Sequence, residues 1–179
     1  MHRTHTAGSP TPGSAPPLYT AEERARRDAT RWTLVQGVLA PLQFLVFAVS
    51  LVLVLRYLLT AEGWTAASVS FFAKTALLFT IMVTGSIWEK VVFGRWLFAP
   101  AFFWEDVVSM LVIALHVACL IAMLTGWQSP RLQMGLALAA YAAYVLNAGQ
   151  FLLKLRAARQ QEASQLSVPR QSAGLEAAA

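Results

Sequence analysis

Four long apolar runs, at about residues 32–59, 67–92, 102–124 and 132–155, divide this chain, with short polar stretches between them. Each has about the 20 or more residues that a helix needs to cross a hydrocarbon layer. The pattern predicts an all-α polytopic membrane protein, a bundle of four transmembrane helices. The few polar residues inside the runs are regularly placed. Gln36, Gln43 and Ser50 recur every seven residues in the first run and share a face. Glu105, Ser109 and His116 share a face of the third, with Asp106 about 100° away. Tyr141, Tyr144, Asn147 and Gln150 form a stripe along the fourth. Such stripes either join helices by hydrogen bonds or line a polar cavity.

Before the first run, Thr20 and Glu23 fit a capping box for a short charged helix ending near Arg31, outside the bilayer. Pro41 is expected to bend the first span. Lys74, near the start of the second, is expected to snorkel to the interface. Thr84, Gly85 and Ser86 permit close helix contact, and Glu89 projects from that same face. Residues 1–17 and 160–179 read as disordered tails around a domain at 18–159. His2 and His5 read as solvated, and no removed signal peptide is expected.

Composition sharpens this picture. The chain is 57% hydrophobic and 13% charged, against the ~25% charged residues of a soluble domain. The net charge of +5 sits around the spans, which points to orientation and anionic lipid and not to nucleic acid. Arg3, Arg24, Arg26, Arg27, Arg31, Lys90, Arg95, Lys154, Arg156, Arg159 and Arg170 fall on one side, and Arg56, Lys74 and Arg131 on the other. Eleven against three places both termini in the cytoplasm. Lone Cys119 excludes an intrachain disulfide.

This topology brings Gln36, Gln43, Glu89, Glu105, Asp106, Ser109, Tyr144, Asn147 and Gln150 into the cytoplasmic half and leaves the far half nearly apolar. A channel or transporter needs polar groups through the full thickness, so the pattern disfavours one. The connector around Gly94 and Pro100 carries Phe93, Trp96, Phe98, Phe102 and Phe103, flanked by Trp88-Glu89 and Trp104-Glu105. Aromatics of this kind sit at headgroup depth. Three carboxylates and one histidine at an apolar boundary suit acid–base catalysis. The plainer alternative pairs Glu89 with Lys90 or Arg95, pairs Asp106 with another cation, and gives His116 a structural hydrogen bond. One histidine within a span is too few for a typical haem site, and paired Glu-x-x-His motifs are absent. Neither a phosphate-cradling loop nor a nucleophile elbow is present.

The segments RRDATRWTLVQGVLAPLQFLVF, TGSIWEKVVFGRWLFAPAFFWEDVVSMLVIALH and YAAYVLNAGQFLLKLR closely resemble the 2-vinyl bacteriochlorophyllide hydratase family of bacteriochlorophyll biosynthesis. The resemblance extends from about Leu18 to Arg159. It implies water addition across the C3 vinyl group of a chlorophyllide-type macrocycle, giving a 1-hydroxyethyl group. No cofactor is expected, since the magnesium arrives with the substrate. The implied partners are the pigment, water, the bilayer and other enzymes of the same pathway. The implied location is the bacterial cytoplasmic or intracytoplasmic photosynthetic membrane.

With that substrate in view, Glu105 or Glu89 is the candidate proton donor. Asp106 or His116 is the candidate base, and His116 is alternatively an axial ligand of the substrate magnesium. Gln43, Trp88, Arg95, Trp96, Trp104, Tyr144, Asn147 and Gln150 are candidate substrate contacts. Arg95 would meet a propionate, the aromatics would stack on the ring, and Asn147 and Gln150 would meet a ring ketone or the water. The rival reading is a pigment-binding or assembly protein that uses the same surfaces without chemistry.

Overall fold

The computed structural model describes residues 17–176. The expected disorder of residues 1–16, the solvated His2 and His5, and residues 177–179 lie outside the described residues. Five helices follow one another: α1 (Ala21–Ala29), α2 (Arg31–Thr60), α3 (Trp64–Phe93), α4 (Phe103–Thr125) and α5 (Pro130–Glu176). Among the described residues there is no strand. Four helices are long and apolar enough to cross a membrane: α2, α3, α4 and the first 32 residues of α5, Pro130–Gln161.

The boundaries follow local chemistry. Thr20 caps α1 and Glu23 reaches back to the Thr20 amide, which completes the expected capping box. Thr30 ends α1 and starts α2 without a break. Gly94, at φ +77°, ends α3 in a left-handed turn that residues with a Cβ rarely adopt. Pro41 lies within α2, which continues through it to Thr60. Helix α5 runs past the expected end near Leu155, so the tail expected to be disordered from Gln160 is helical as far as Glu176. Its Ala, Gln, Leu and Glu residues have good helix propensity, which outweighs the low apolar content on which the expectation rested.

The helices form two hairpins, α2 with α3 and α4 with α5, which meet along α2 and α5. Helices α3 and α4 approach each other less closely, and a seam runs between them. Phe47, Val54, Phe71, Leu78, Val112, Met134, Tyr141 and Tyr144 fill the centre. Leu34, Leu59, Leu146 and Leu153 point outward, as side chains facing lipid do. A second cluster closes the connector end. Tyr19, Trp88, Phe93, Phe102 and Phe151 pack ring on ring there, with Val92 and Ala158. Arg26 Nε donates to the Val92 carbonyl at 2.8 Å, which docks α1 on the last turn of α3. At the opposite end Gln133 Nε2 donates to the carbonyls of Ala122, Trp127 and Gln128 and ties the α4–α5 turn.

Lys74 departs from expectation. It is fully buried, with Nζ 2.8 Å from His116 Nε2. Helix α3 begins at Trp64, earlier than the apolar pattern suggests, so Lys74 lies ten residues in, roughly 15 Å from the helix start. That is too deep to snorkel to the far surface. It leaves the cation balance at eleven against two, Arg56 and Arg131. The far half of the bundle is also not the apolar plug expected. Lys74, His116, Ser50, Ser70 and Tyr141 place polar groups at its middle, where Ser50 Oγ meets Tyr141 Oη at 2.6 Å.

Candidate active site

The third and second spans each bring one carboxyl to the head of the seam. Glu89 is near the end of α3 and Asp106 is in the first turn of α4, and both are buried. Their side chains lie against each other, each carboxyl in the other's electrostatic field. The connector fixes both from above. The Phe98 amide donates to Asp106 Oδ2 at 2.7 Å and the Ala99 amide donates to Glu89 Oε2 at 3.2 Å. Phe98 takes φ +57°, a left-handed conformation unfavourable for a side chain of its size, and this turns two successive amides toward the pair. An ionised carboxylate only accepts hydrogen bonds, so a carboxyl-to-carboxyl bond requires one proton between them.

Glu105 lies beside this pair and faces another helix. Its Oε2 accepts from Lys154 Nζ on α5 at 2.6 Å. The expected pairing of Glu89 with Lys90 or Arg95 does not form. Lys90 Nζ caps the Gly94 carbonyl at 2.9 Å and lies by the Trp96 ring, and Arg95 is exposed on the connector. Asp106 likewise takes Phe98 and Glu89 as its partners instead of forming an ion pair.

Beneath the carboxyls the seam opens as an apolar groove of about 400 Å³. Met82, Val83, Ser86 and Ile87 of α3, Met110 and Ile113 of α4, and Trp96 and Leu97 of the connector line it. Ser86 precedes Glu89 by three residues and Met110 follows Asp106 by four, so the groove begins one helical turn below the pair on both walls. Volumes of ~300–1,000 Å³ with mostly apolar walls are usual for small-molecule sites.

On the inner side of α4, Ser109 Oγ accepts from Asn147 Nδ2 at 2.8 Å. Gln43 meets the Tyr144 hydroxyl. The Lys74–His116 pair lies deeper, with Lys74 Nζ 4.0 Å from the centre of the Tyr144 ring. His116 Nδ1 is 2.8 Å from the Val112 carbonyl oxygen and Nε2 faces Lys74, so both ring nitrogens are engaged and the residue is fully buried. In this arrangement His116 presents no lone pair to a substrate magnesium and does not touch the carboxyls.

Of the candidate substrate contacts, Trp96 lines the groove. Trp104 is 69% exposed on the outer face of α4. Trp88 packs against the aromatic cluster, half-buried, its Nε1 donating to Thr33 Oγ1 at 2.9 Å. Phe93 and Phe102 are likewise packed among their neighbours. Sequence reasoning missed Lys154, Lys74 and the two connector amides. Only Lys154 left a signal, being one turn past Gln150 on the polar stripe. Among the described residues no three His, Cys, Asp or Glu side chains are grouped to hold a metal.

Fold and site together define an integral-membrane helical bundle with a buried carboxyl pair at the head of a lipid-level groove, a class suited to acid–base work on an apolar ligand. Comparison with known proteins narrows this. The family model described as 2-vinyl bacteriochlorophyllide hydratase (BCHF) matches residues 19–157. The 2-vinyl bacteriochlorophyllide hydratase of Cereibacter sphaeroides is 72% identical over 152 residues, covering 84% of this chain and 94% of that protein. The protein of the same name from Rhodobacter capsulatus is 68% identical over 157 residues, covering 88% and 91%. This chain belongs to the 2-vinyl bacteriochlorophyllide hydratase family. No solved structure matches it.

Proposed function

We propose that this chain is a hydro-lyase that adds water across the C3 vinyl group of a magnesium chlorin of the bacteriochlorophyllide type, leaving a 1-hydroxyethyl group. One observation carries the mechanism: the Glu89–Asp106 pair, held by the Phe98 and Ala99 amides at the head of the α3/α4 groove. The pigment enters the groove from the bilayer, its ring against Trp96, Leu97 and Met110. Its vinyl group reaches up to the carboxyls. The protonated member of the pair gives its proton to the terminal vinyl carbon, and the π bond breaks as the C–H bond forms. The positive charge left on the inner carbon spreads into the macrocycle. Water bonds to that carbon and gives up a proton to the pair, which again holds one proton. No electrons leave the system and no cofactor takes part.

Glu105 acts through its ion pair with Lys154, setting the charge beside the dyad. His116 holds Lys74 in the core. The connector end faces the cytoplasm, as eleven of the thirteen surface-flanking cations favour. There exposed Arg95 meets a propionate of the pigment, and other enzymes of the pathway can hand pigment over. The host membrane is the cytoplasmic or intracytoplasmic photosynthetic membrane. Incubating the purified protein in lipid vesicles with vinyl pigment in ¹⁸O-water tests the reading. The expected product carries one ¹⁸O in a new hydroxyethyl group. Pigment that binds and returns unchanged would overturn it in favour of a binding protein.

A further inference from the structure

The core behind the carboxyl pair holds three amide side chains with buried, unused polar ends. Asn147 gives Nδ2 to Ser109 Oγ, while its Oδ1 is buried and has no donor. Gln150 Oε1, one turn further along α5, is buried and unpartnered, and so is Gln43 Oε1 on α2 beside Tyr144. A buried carbonyl without a donor costs about 1–3 kcal/mol, and native cores contain few of them. Two on the α5 stripe, Asn147 and Gln150, and a third on α2, Gln43 beside Tyr144, mark a place built for a ligand.

The chemistry of the lining selects that ligand. Amide oxygens repel an anion, and the carboxyl groups needed to complete a cation site are already committed to each other and to Lys154. Turning any one amide exchanges its oxygen and nitrogen but still leaves one end unused. Water donates and accepts, so it satisfies either orientation. The position is also apt. Ser109 lies three residues beyond Asp106 on α4, and Gln150 lies four before Lys154, which holds Glu105. Asn147 and Gln150 therefore sit about one turn below the carboxyls, on the bundle side of α4, with Gln43 a turn further in beside Tyr144 and the groove on the seam side.

We infer that Gln43, Asn147 and Gln150 hold the water that adds to the inner vinyl carbon, so that water reaches the reaction from the bundle interior while pigment enters from the seam. This rests on the hydration mechanism above. The water oxygen bonds to the cationic carbon, and its proton passes to the carboxylate left by the first step.

The two steps separate in deuterated water. Protonation of the vinyl group and its reversal need only the carboxyl pair, so they place deuterium on the terminal carbon of recovered vinyl pigment. In purified Asn147→Leu and Gln150→Met, hydroxyethyl formation is expected to fall tenfold or more while this deuteration persists. Gln150 is only partly buried, so Gln150→Met keeps the test open if Asn147→Leu does not fold. Hydration at the unaltered rate in Gln150→Met, or loss of hydration and deuteration together in that variant, would overturn the water site. Glu89→Gln, run alongside, is expected to lose both signals. A Glu89→Gln protein that retains both overturns the carboxyl mechanism itself, so the two failures are distinguishable.

Discussion

Glu89 and Asp106 come from α3 and α4, which pack loosely on each other, and their carboxyls meet beneath two successive connector amides. The connector joining the helices also aims their carboxyls. Loop geometry and acid–base chemistry are therefore coupled at Phe98.

That coupling makes Phe98 a sensitive position for a backbone reason. Phe98→Gly keeps the amide and adopts φ +57° freely, so it is expected to retain hydratase activity within about threefold. Phe98→Val disfavours the left-handed conformation by roughly 1–2 kcal/mol and should turn the amide away from Asp106. Hydroxyethyl formation by Phe98→Val is expected to fall at least tenfold in the vesicle assay. Equal activities of the two variants would show that the amide does not position the pair.

The Glu105–Lys154 ion pair predicts non-additive stability. Removing one partner leaves a charge in a mostly buried site. Breaking a buried pair costs ~3–5 kcal/mol, and the partial exposure of Lys154 lowers the expected loss to about 1–3 kcal/mol. Lys154→Met should therefore unfold at lower temperature in detergent, and adding Glu105→Gln should restore much of the loss. A double variant no more stable than Lys154→Met would count against the pair.

Lys74 and His116 invert the usual expectation for a buried lysine. Lys74→Met removes a charge and fills the same space, so its detergent melting temperature should match or exceed that of the parent protein. His116→Leu leaves Lys74 buried with only the Tyr144 and Tyr141 rings for company, at a cost of about 2–4 kcal/mol. If Lys74→Met destabilises more than His116→Leu, the pair is not held as described.

The groove gives a prediction about binding and not about chemistry. Met110→Trp adds bulk to a lining of about 400 Å³ without touching a polar contact. It is expected to raise KM for the vinyl pigment tenfold or more with kcat nearly unchanged. An unchanged KM would place the pigment elsewhere.

Much of this arrangement was legible in the sequence, because helical spacing fixes which side chains share a face. The heptad of Gln43 and Ser50, the line of Glu105, Ser109 and His116, and the stripe from Tyr141 to Asn147 all turn inward as their spacing requires. The Thr20–Glu23 capping box was legible for the same local reason. What spacing could not supply was the partner on another helix. Lys154 reaches Glu105 across 49 residues and Lys74 reaches His116 across 42. A lysine near a span end looks like a snorkelling residue until the true start of the helix is known. That Trp88 packs against the aromatic cluster was not legible, because aromatic residues at an interface and aromatic residues in a core have the same composition. The left-handed turn at Phe98 has no sequence signal, since neither Gly nor Asn stands there.

The central claim is that the Glu89–Asp106 dyad delivers the proton, and single amide substitutions test it most directly. Vinyl pigment would be incubated in deuterated water with purified Glu89→Gln, Asp106→Asn and the parent protein. The dyad account expects each variant to lose ~10²–10⁴-fold in hydroxyethyl formation, with deuteration of recovered vinyl pigment lost in parallel. Hydroxyethyl formation at the parental rate by both variants would contradict it.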